Sequence, residues 1–287
     1  MGGDLLTLLA LRREQPAGGR LFLRGPALTA PGGHGMHSGH GFPVATPADA
    51  AAAVLALAAV GANHVKVVTS GARGEVQLDP AVLRAAVAAA RMRGLPVAAH
   101  AHFQPEQLTA AVDAEVTSIE HGFLLHEVPG LLAQMARDGL FLCPTMRVVE
   151  SIRAEPGWFG QRLIPQAWPD VQRSVRVAPA AGVALLAGTD SGVYSVTPAD
   201  VWREVTLLAN ECGSRWEGLR AATCTAARAL GRPDLGSVAP GATADVVFVR
   251  RDPVTEAIDA HDVVAVLQAG RVVAGSLPGY AGSASFT

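Results

Sequence analysis

Short apolar runs alternate with longer alanine-rich stretches along most of the chain. The apolar runs predict strands at residues 19–25, 64–71, 95–102, 116–122, 140–145 and 183–192. The stretches between them predict helices at residues 47–61, 79–94, 105–114, 127–138, 166–181, 198–211 and 215–230. Strands that are apolar on both faces and alternate with helices are typical of a parallel sheet covered by helices.

The helix at 79–94 has the clearest ends. Asp79 can accept hydrogen bonds from the first free backbone N–H groups, and Pro80 suits the first turn. Gly94 suits the left-handed conformation in which many helices end. We therefore expect a capped helix between two buried strands.

From about Leu235 the pattern changes to short β runs separated by Gly, Pro and Asp, without a helical period. This change predicts two domains, an α/β domain at residues 1–232 and a small β domain at residues 233–287.

Polar residues lie at or near the carboxyl ends of the predicted strands: Lys66, His100, His102, His121 and Asp190. Active sites of (β/α) barrels gather at that face, so the placement favours a TIM-type barrel. An open doubly wound sheet remains the alternative. No G-x-G-x-x-G follows a strand, so a dinucleotide site has no support.

Composition narrows the function classes. The net charge is −2 and no basic run occurs, so we expect no nucleic-acid partner. No apolar run reaches the ~18 residues of a membrane span, and the N-terminus lacks the features of a signal peptide. Three cysteines, Cys143, Cys212 and Cys224, predict reduced thiols and a cytoplasmic protein.

Lys66 is the only lysine beside 22 arginines, and valines flank it in "HVKVV". A lysine at a strand end can simply extend its ammonium group to water. However, arginine would serve equally well there, whereas only a lysine amine loses its proton when buried. A neutral amine can form a Schiff base with a substrate, or react with CO₂ to give a carbamate that binds metal.

The histidines favour the carbamate that binds metal over the Schiff base. His100 and His102 in "AAHAH" share one face of a strand, and His121 in "SIEHG" ends the next strand. A lone histidine is usually a packed core residue, but several histidines and Asp190 at one face are hard to explain by packing. Imidazole with carboxylate suits Zn²⁺ or Mn²⁺.

In this order, "PGGHG", "HVKVVTSG", "VAAHAH", "TSIEHG", "GTDSG" and "LGSVAPGATADVVFV" resemble the metal-dependent amidohydrolase superfamily, in particular its imidazolonepropionase-like and prolidase-like group. The resemblance implies that Lys66 is carboxylated by CO₂ and bridges two divalent metals, with zinc expected. It implies that His100 and His121 bind one metal, and that Asp190 binds the other and acts as general acid and base.

The expected activity is hydrolysis of a C–N bond in an amide, cyclic amide or peptide-like small molecule by a water that the metal activates. His102 or the second metal would polarise the carbonyl group. His34 in "GGHG" matches a family position near the substrate, and Arg73 and Arg147 could bind a substrate carboxylate. Either arginine could equally be a surface residue without a role in binding. The protein could also form a homo-oligomer.

The resemblance has one gap. The family's first barrel strand ends in His-x-His and supplies two ligands to the first metal, and nothing here matches it. We therefore expect a barrel that lacks its first strand, followed by half of a β-sandwich. His37 and His40 could replace the missing ligands, although a glycine-rich loop with incidental histidines is the simpler interpretation.

Two alternatives remain at this level. One is a barrel fragment of the same family without catalytic activity, because the first metal would keep too few ligands. The other is a Schiff-base lyase that uses Lys66, which explains the lysine but leaves the histidines and Asp190 unexplained.

Overall fold

The computed structural model describes residues 5–14, 19–37, 41–69, 71, 75–154 and 164–278. The α-helices are α1 Leu5–Glu14, α2 His34–His37, α3 Pro47–Ala59, α4 Pro80–Met92, α5 Pro105–Asp113, α6 Pro129–Asp138, α7 Met146–Ala154, α8 Ile164–Ala180, α9 Val201–Cys212, α10 Arg215–Ala222 and α11 Cys224–Ala229. The strands are β1 Ala27–Thr29, β2 Gly41–Pro43, β3 Val65–Val68, β4 Val97–Ala101, β5 Ser118–His121, β6 Phe141–Cys143, β7 Ala184–Leu185, β8 Val246–Val249, β9 Val263–Gln268 and β10 Arg271–Gly275.

Strands β1 to β7 form one parallel sheet in the order β2-β1-β3-β4-β5-β6-β7, with helices between the strands. Val67, Ala99 and Ile119 lie on one face of the sheet and are fully buried. This architecture confirms the predicted α/β class of barrel type. A complete barrel has eight strands, and the described residues supply seven.

The predicted strand at 19–25 is wrong, because β1 begins only at Ala27. Asn63 explains the difference. Its side-chain oxygen accepts a hydrogen bond from the Leu23 N–H at 3.1 Å, and its backbone N–H donates to the Leu23 carbonyl at 2.7 Å. These contacts take up the backbone groups with which Leu23 could join a strand.

The prediction for α4 is confirmed. Asp79 accepts a hydrogen bond from the Ala81 N–H at 2.6 Å, and Pro80 opens the helix. Gly94 has a φ of +64°, so the chain leaves the helix through the left-handed region.

Two predicted elements are shorter or divided. The strand expected at 183–192 is confined to Ala184–Leu185, so Asp190 lies in the following loop. The helix expected at 215–230 is two helices separated at Thr223, whose φ and ψ are −124° and −103°. A side chain at Gly236 would lie 2.6 Å from the Thr223 carbonyl carbon, so the chain approaches this break closely.

The chain divides into two compact units. The first comprises Met1–Glu14, Arg20–Pro144 and Pro169–Ala184, and the second comprises Gln15–Gly19, Thr145–Trp168 and Leu185–Thr287. The division at residues 232 and 233 stays a prediction that rests on the change in sequence pattern.

The second unit contains an antiparallel sheet in the order β10-β9-β8. It confirms the small C-terminal β segment. Among the described helices, none combines the length and the apolar character that crossing a membrane requires.

Candidate metal centre

Four residues of the first unit form what is here called the inner cluster. Lys66 lies on β3, His100 on β4, His102 directly after β4, and His121 on β5. In the sheet register Lys66 pairs with Ala98 and His100 pairs with Val68. Because side chains two residues apart share a face, Lys66 and His100 project from the same face of the sheet.

The three imidazoles of the inner cluster are in contact. His100 Nδ1 lies 2.8 Å from His121 Nε2, and His100 Nε2 lies 3.2 Å from His102 Nε2. The ring centroids of His100 are 4.4 Å from those of both His102 and His121. Adjacent parallel strands have therefore brought together side chains that are 21 residues apart in the chain.

Burial keeps these imidazoles neutral. It lowers the pKa values of His100 and His121 well below 6.5, with further contributions from the neighbouring histidines and Lys66. Burial, then His34 and Lys66, lowers the pKa of His102 to about 3. A neutral imidazole keeps a nitrogen lone pair, which is the form that binds a metal ion.

The Phe103 N–H donates a hydrogen bond to His102 Nδ1 at 3.0 Å. In the neutral ring the proton of His102 must therefore lie on Nε2, so Nε2 acts as a donor. The assignment follows from the hydrogen-bond network.

The donor set fits a divalent cation. His100 Nδ1 and His121 Nε2 already point at each other, and two ligands of a tetrahedral zinc ion lie roughly 3.4 Å apart. Their 2.8 Å separation is thus only slightly tighter than a cation requires. Lys66 on the same face adds an oxygen ligand if it carries a carbamate.

The backbone around the inner cluster is strained at one point. His121 pairs with Ala101 in the register, one residue out of phase with His100, and yet its ring reaches His100. His121 has a φ of +72° at the point where its ring turns toward His100. A non-glycine residue adopts such a φ at a cost of about 1–3 kcal/mol. Strain of this kind is typical of functional sites.

Thr69 positions His100 from the adjacent strand. Its backbone N–H and its hydroxyl group both donate to the His100 carbonyl, at 3.1 and 2.8 Å. Thr69 is 1% exposed, so both hydrogen bonds are protected from water.

His34 lies beside the inner cluster. Its ring stacks on His100 with a centroid distance of 5.1 Å and lies 6.0 Å from His102. His34 Nδ1 also lies 3.1 Å from Glu75 Oε2. The role of His34 as a substrate-binding residue stays a prediction.

Two of the other candidate residues are assigned to the second unit. Asp190 lies in the second unit, in the loop after β7, and has a φ of +53°. Arg147, also in the second unit, donates from Nε to Asp200 at 2.7 Å and lies 3.7 Å from Glu150. These carboxylates occupy its guanidinium group. Arg73 and His40 lie outside the described residues.

Sequence reasoning missed two acidic residues in the first unit. Glu120 pairs with His100 in the register and accepts a hydrogen bond from Ser118 at 2.6 Å. Its position two residues after Ser118 in an apolar strand was a usable signal. Glu75 had no such signal, because it lies in a loop and meets His34 only in the folded chain.

A model of the amidohydrolase family matches residues 3–276. A comparison with curated proteins gives no match. Among solved structures, a Xaa-Pro dipeptidase with methionine in its active site is 25% identical and has a TM-score of 0.83, covering 95% of this chain and 73% of that chain.

Two further structures are similar. A prolidase complexed with N-methylphosphonate-L-proline is 25% identical over 94% of this chain and 73% of its own, with a TM-score of 0.82. A putative prolidase from Bifidobacterium longum is 27% identical over 98% of this chain and 72% of its own, with a TM-score of 0.80. Because the family match extends over nearly all of its 287 residues, the chain belongs to the amidohydrolase family.

Proposed function

We propose that this chain hydrolyses the C–N bond of a dipeptide-like or N-acyl amino acid substrate at the inner cluster, with the help of a divalent cation, zinc in the first instance. The contact between His100 Nδ1 and His121 Nε2 carries the proposal. Two neutral imidazoles that converge at the ends of neighbouring strands are a ready pair of cation ligands. Family membership supports the hydrolytic chemistry.

His100, His121, Lys66 as its carbamate, and Asp190 would hold one or two cations. A cation there would lower the pKa of a water molecule toward neutrality and polarise the substrate carbonyl group. Lys66 lies on the same sheet face as His100, so a carbamate on Lys66 would project from the face that carries the histidine ligands.

His102 would polarise the carbonyl oxygen. The Phe103 N–H holds the proton of His102 on Nε2, so His102 carries an N–H donor that contacts His100 Nε2 at 3.2 Å and would have to turn to a substrate oxygen. A donor aimed at the oxygen on which negative charge develops stabilises the transition state. Its low pKa, about 3, keeps His102 in this neutral form throughout the neutral range.

Asp190 is proposed as general acid and base. Its carboxylate would take the proton of the attacking water and return it to the leaving nitrogen. His34, Arg73 and Arg147 are proposed to contact the substrate. Of these, Arg147 has the weakest support, because Asp200 and Glu150 already neutralise its guanidinium group.

The similar structures support the substrate class. One is a Xaa-Pro dipeptidase with bound methionine, and another is a prolidase with a phosphonate analogue of a proline peptide. We extend to this chain the expectation of a small amide substrate that bears a carboxylate. The cytoplasm remains the proposed location, and the three free cysteines agree with it.

The test is a hydrolysis assay of the zinc-, cobalt- or manganese-loaded protein against a panel of Xaa-Pro dipeptides, other dipeptides, N-acyl amino acids and cyclic amides. We expect metal-dependent turnover of at least one class, and loss of that turnover in Asp190→Asn. Absence of turnover across the panel in protein that binds metal would support a fragment without activity. Borohydride trapping of a substrate on Lys66 in metal-free protein would favour the Schiff-base alternative.

A further inference from the structure

A second group of potential ligands lies next to the inner cluster. His34, His37 and Glu75, here called the outer cluster, place one ligand atom each within 4.8 Å of one another. His34 Nδ1 lies 3.1 Å from Glu75 Oε2, and His37 Nδ1 lies 3.6 Å from Glu75 Oε1. Each histidine thus faces a different oxygen of the same carboxylate.

Local structure builds the outer cluster. His34 and His37 are three residues apart on the short helix α2, a spacing that puts both side chains on one face. Glu75 comes from the segment between β3 and α4. A parallel bridge between Gly33 and Val76 fastens the two segments together immediately beside His34 and Glu75.

Gly71 leaves room for this arrangement. A side chain at Gly71 would place its Cβ 1.7 Å from Glu75 Oε2 and 2.5 Å from His34 Cβ. Any residue larger than glycine would therefore displace both groups. The carboxylate and the imidazole occupy a space that only the absence of a side chain at position 71 provides.

The donor set and its spacing suit a transition-metal ion. Two imidazoles and one carboxylate are common ligands of Zn²⁺, Co²⁺ and Mn²⁺. Ligands of a tetrahedral zinc ion lie roughly 3.4 Å apart, between the two nitrogen–oxygen distances of 3.1 and 3.6 Å. We propose that the outer cluster binds a divalent transition-metal ion through His34, His37 and Glu75, as a second site that adjoins the inner cluster, because His34 also lies within ligand distance of His100 and His102.

The exposure of the ligands predicts the character of the site. The side chains of His34, His37 and Glu75 are 32%, 62% and 26% exposed. Three protein ligands leave at least one coordination position to water, and solvent reaches that position. An ion at the outer cluster should therefore bind with lower affinity and exchange more easily than an ion held by the inner histidines.

The competing explanation is an ion pair between Glu75 and protonated histidines. The two explanations require different protonation states of the histidines, because a metal needs neutral imidazoles whereas the ion pair needs charged ones. An ion pair predicts no metal at all.

The experiment uses the full chain, stripped of metal with a chelator and titrated with Co²⁺ by calorimetry, with visible absorption to report the ligand environment. The variants are His37→Ala and Glu75→Gln for the outer cluster and His121→Asn for the inner cluster. His261→Asn is the matched control, since His261 is an exposed histidine of the second unit. Circular dichroism checks the fold of each variant.

We expect two Co²⁺ ions in the parent and in His261→Asn. His37→Ala and Glu75→Gln should each weaken only the lower-affinity ion by about 100-fold or more, since even the loss of an indirect partner costs 10- to 100-fold. His121→Asn should keep that ion and lose the tighter one. If the parent binds a single ion, its loss in both outer variants supports the site.

The proposal is overturned if His37→Ala and Glu75→Gln bind Co²⁺ with the number and affinity found for His261→Asn. Gly71→Ala gives a second check, because it leaves every ligand present but displaces Glu75 and His34. An unchanged Co²⁺ isotherm in Gly71→Ala would also contradict the site. The result for His121→Asn concerns only the inner cluster, so the proposed function and this inference can fail independently.

Discussion

Each unit of the molecule buries titratable side chains, but the two units satisfy them differently. In the first unit, His100, His102 and His121 contact mainly one another. In the second unit, Glu204 is fully buried and accepts hydrogen bonds from the Met146 and Arg147 N–H groups at 3.0 and 2.6 Å. These donors are the first N–H groups of α7, which have no partner within the helix.

This difference distinguishes a buried side chain that supports a helix from buried side chains that can bind a ligand. Both oxygens of Glu204 have a backbone donor, and the carboxyl group satisfies the first free N–H groups of α7. The inner histidines have nitrogen atoms that face one another, and His121 has a strained backbone besides. Buried groups whose partners are each other, rather than the backbone, are the ones that can accept a cation.

The largest effect should follow a change that removes a cation ligand. Lys66→Ala and His121→Asn should each lower kcat/KM by roughly 10³-fold or more, because a cation supplies several kcal/mol to the transition state and about 1.4 kcal/mol corresponds to tenfold. The measurement is steady-state kinetics on the substrate class that the panel identifies, together with bound metal by mass spectrometry.

The same variants should leave the metal-free fold nearly intact. Asparagine tolerates the left-handed φ of +72° at position 121, so we expect the free energy of unfolding of His121→Asn to change by about 1 kcal/mol or less. Metal-free protein must be used, since a bound ion stabilises the parent by mass action. Large destabilisation of His121→Asn would make the inner cluster structural and remove the contrast with Glu204.

Glu204→Ala should give the opposite result. It leaves two buried N–H groups without an acceptor and opens a cavity, so we expect a loss of about 3 kcal/mol in unfolding free energy by denaturant titration. Bound metal per folded chain should stay unchanged. Glu204→Gln keeps the volume and one acceptor oxygen and should lose about half as much. A normal melting temperature in Glu204→Ala would contradict the role in α7.

Glu204 also predicts a dependence on pH. Burial raises its pKa from 4.5 to about 8, against the lowering effect of the Arg147 and Met146 N–H groups. Between these values the folded chain keeps a proton that the unfolded chain has released, so rising pH favours unfolding. Relative to Glu204→Gln, the parent should therefore lose stability from about pH 4.5 to about pH 8, with no further loss above that. Parallel melting curves across this window would show that Glu204 is ionised in the folded chain.

The sheet and the inner cluster could largely be predicted because strand periodicity and topology fix them together. Parallel strands end at the same edge, so Lys66, His100 and His121 had to meet once the strands were recognised. Asp79 and Gly94 marked the ends of α4 equally well, since capping is a local property of the chain.

The features that the sequence did not predict depend on contacts between segments that are distant in the chain. Asn63 takes up the backbone groups of Leu23, and no local pattern announces this. Glu75 joins His34 only because Gly33 and Val76 pair and Gly71 leaves space. Glu204 appears in the sequence as an ordinary helical acid, and only its tertiary position at the start of α7 makes it a buried acceptor.

The smallest expected effect tests how far the inner cluster depends on its backbone support. Thr69→Val keeps the shape and the backbone N–H bond to the His100 carbonyl but removes the hydroxyl donor at 2.8 Å. One hydrogen bond contributes about 1 kcal/mol, so we expect metal affinity to fall about fivefold, with a similar loss in stability. Thr69→Ser, which keeps the donor, should recover the affinity. Equal affinities in Thr69→Val and Thr69→Ser would show that the Thr69 hydroxyl group contributes nothing to the position of His100, and that the backbone pairing of the strands is sufficient.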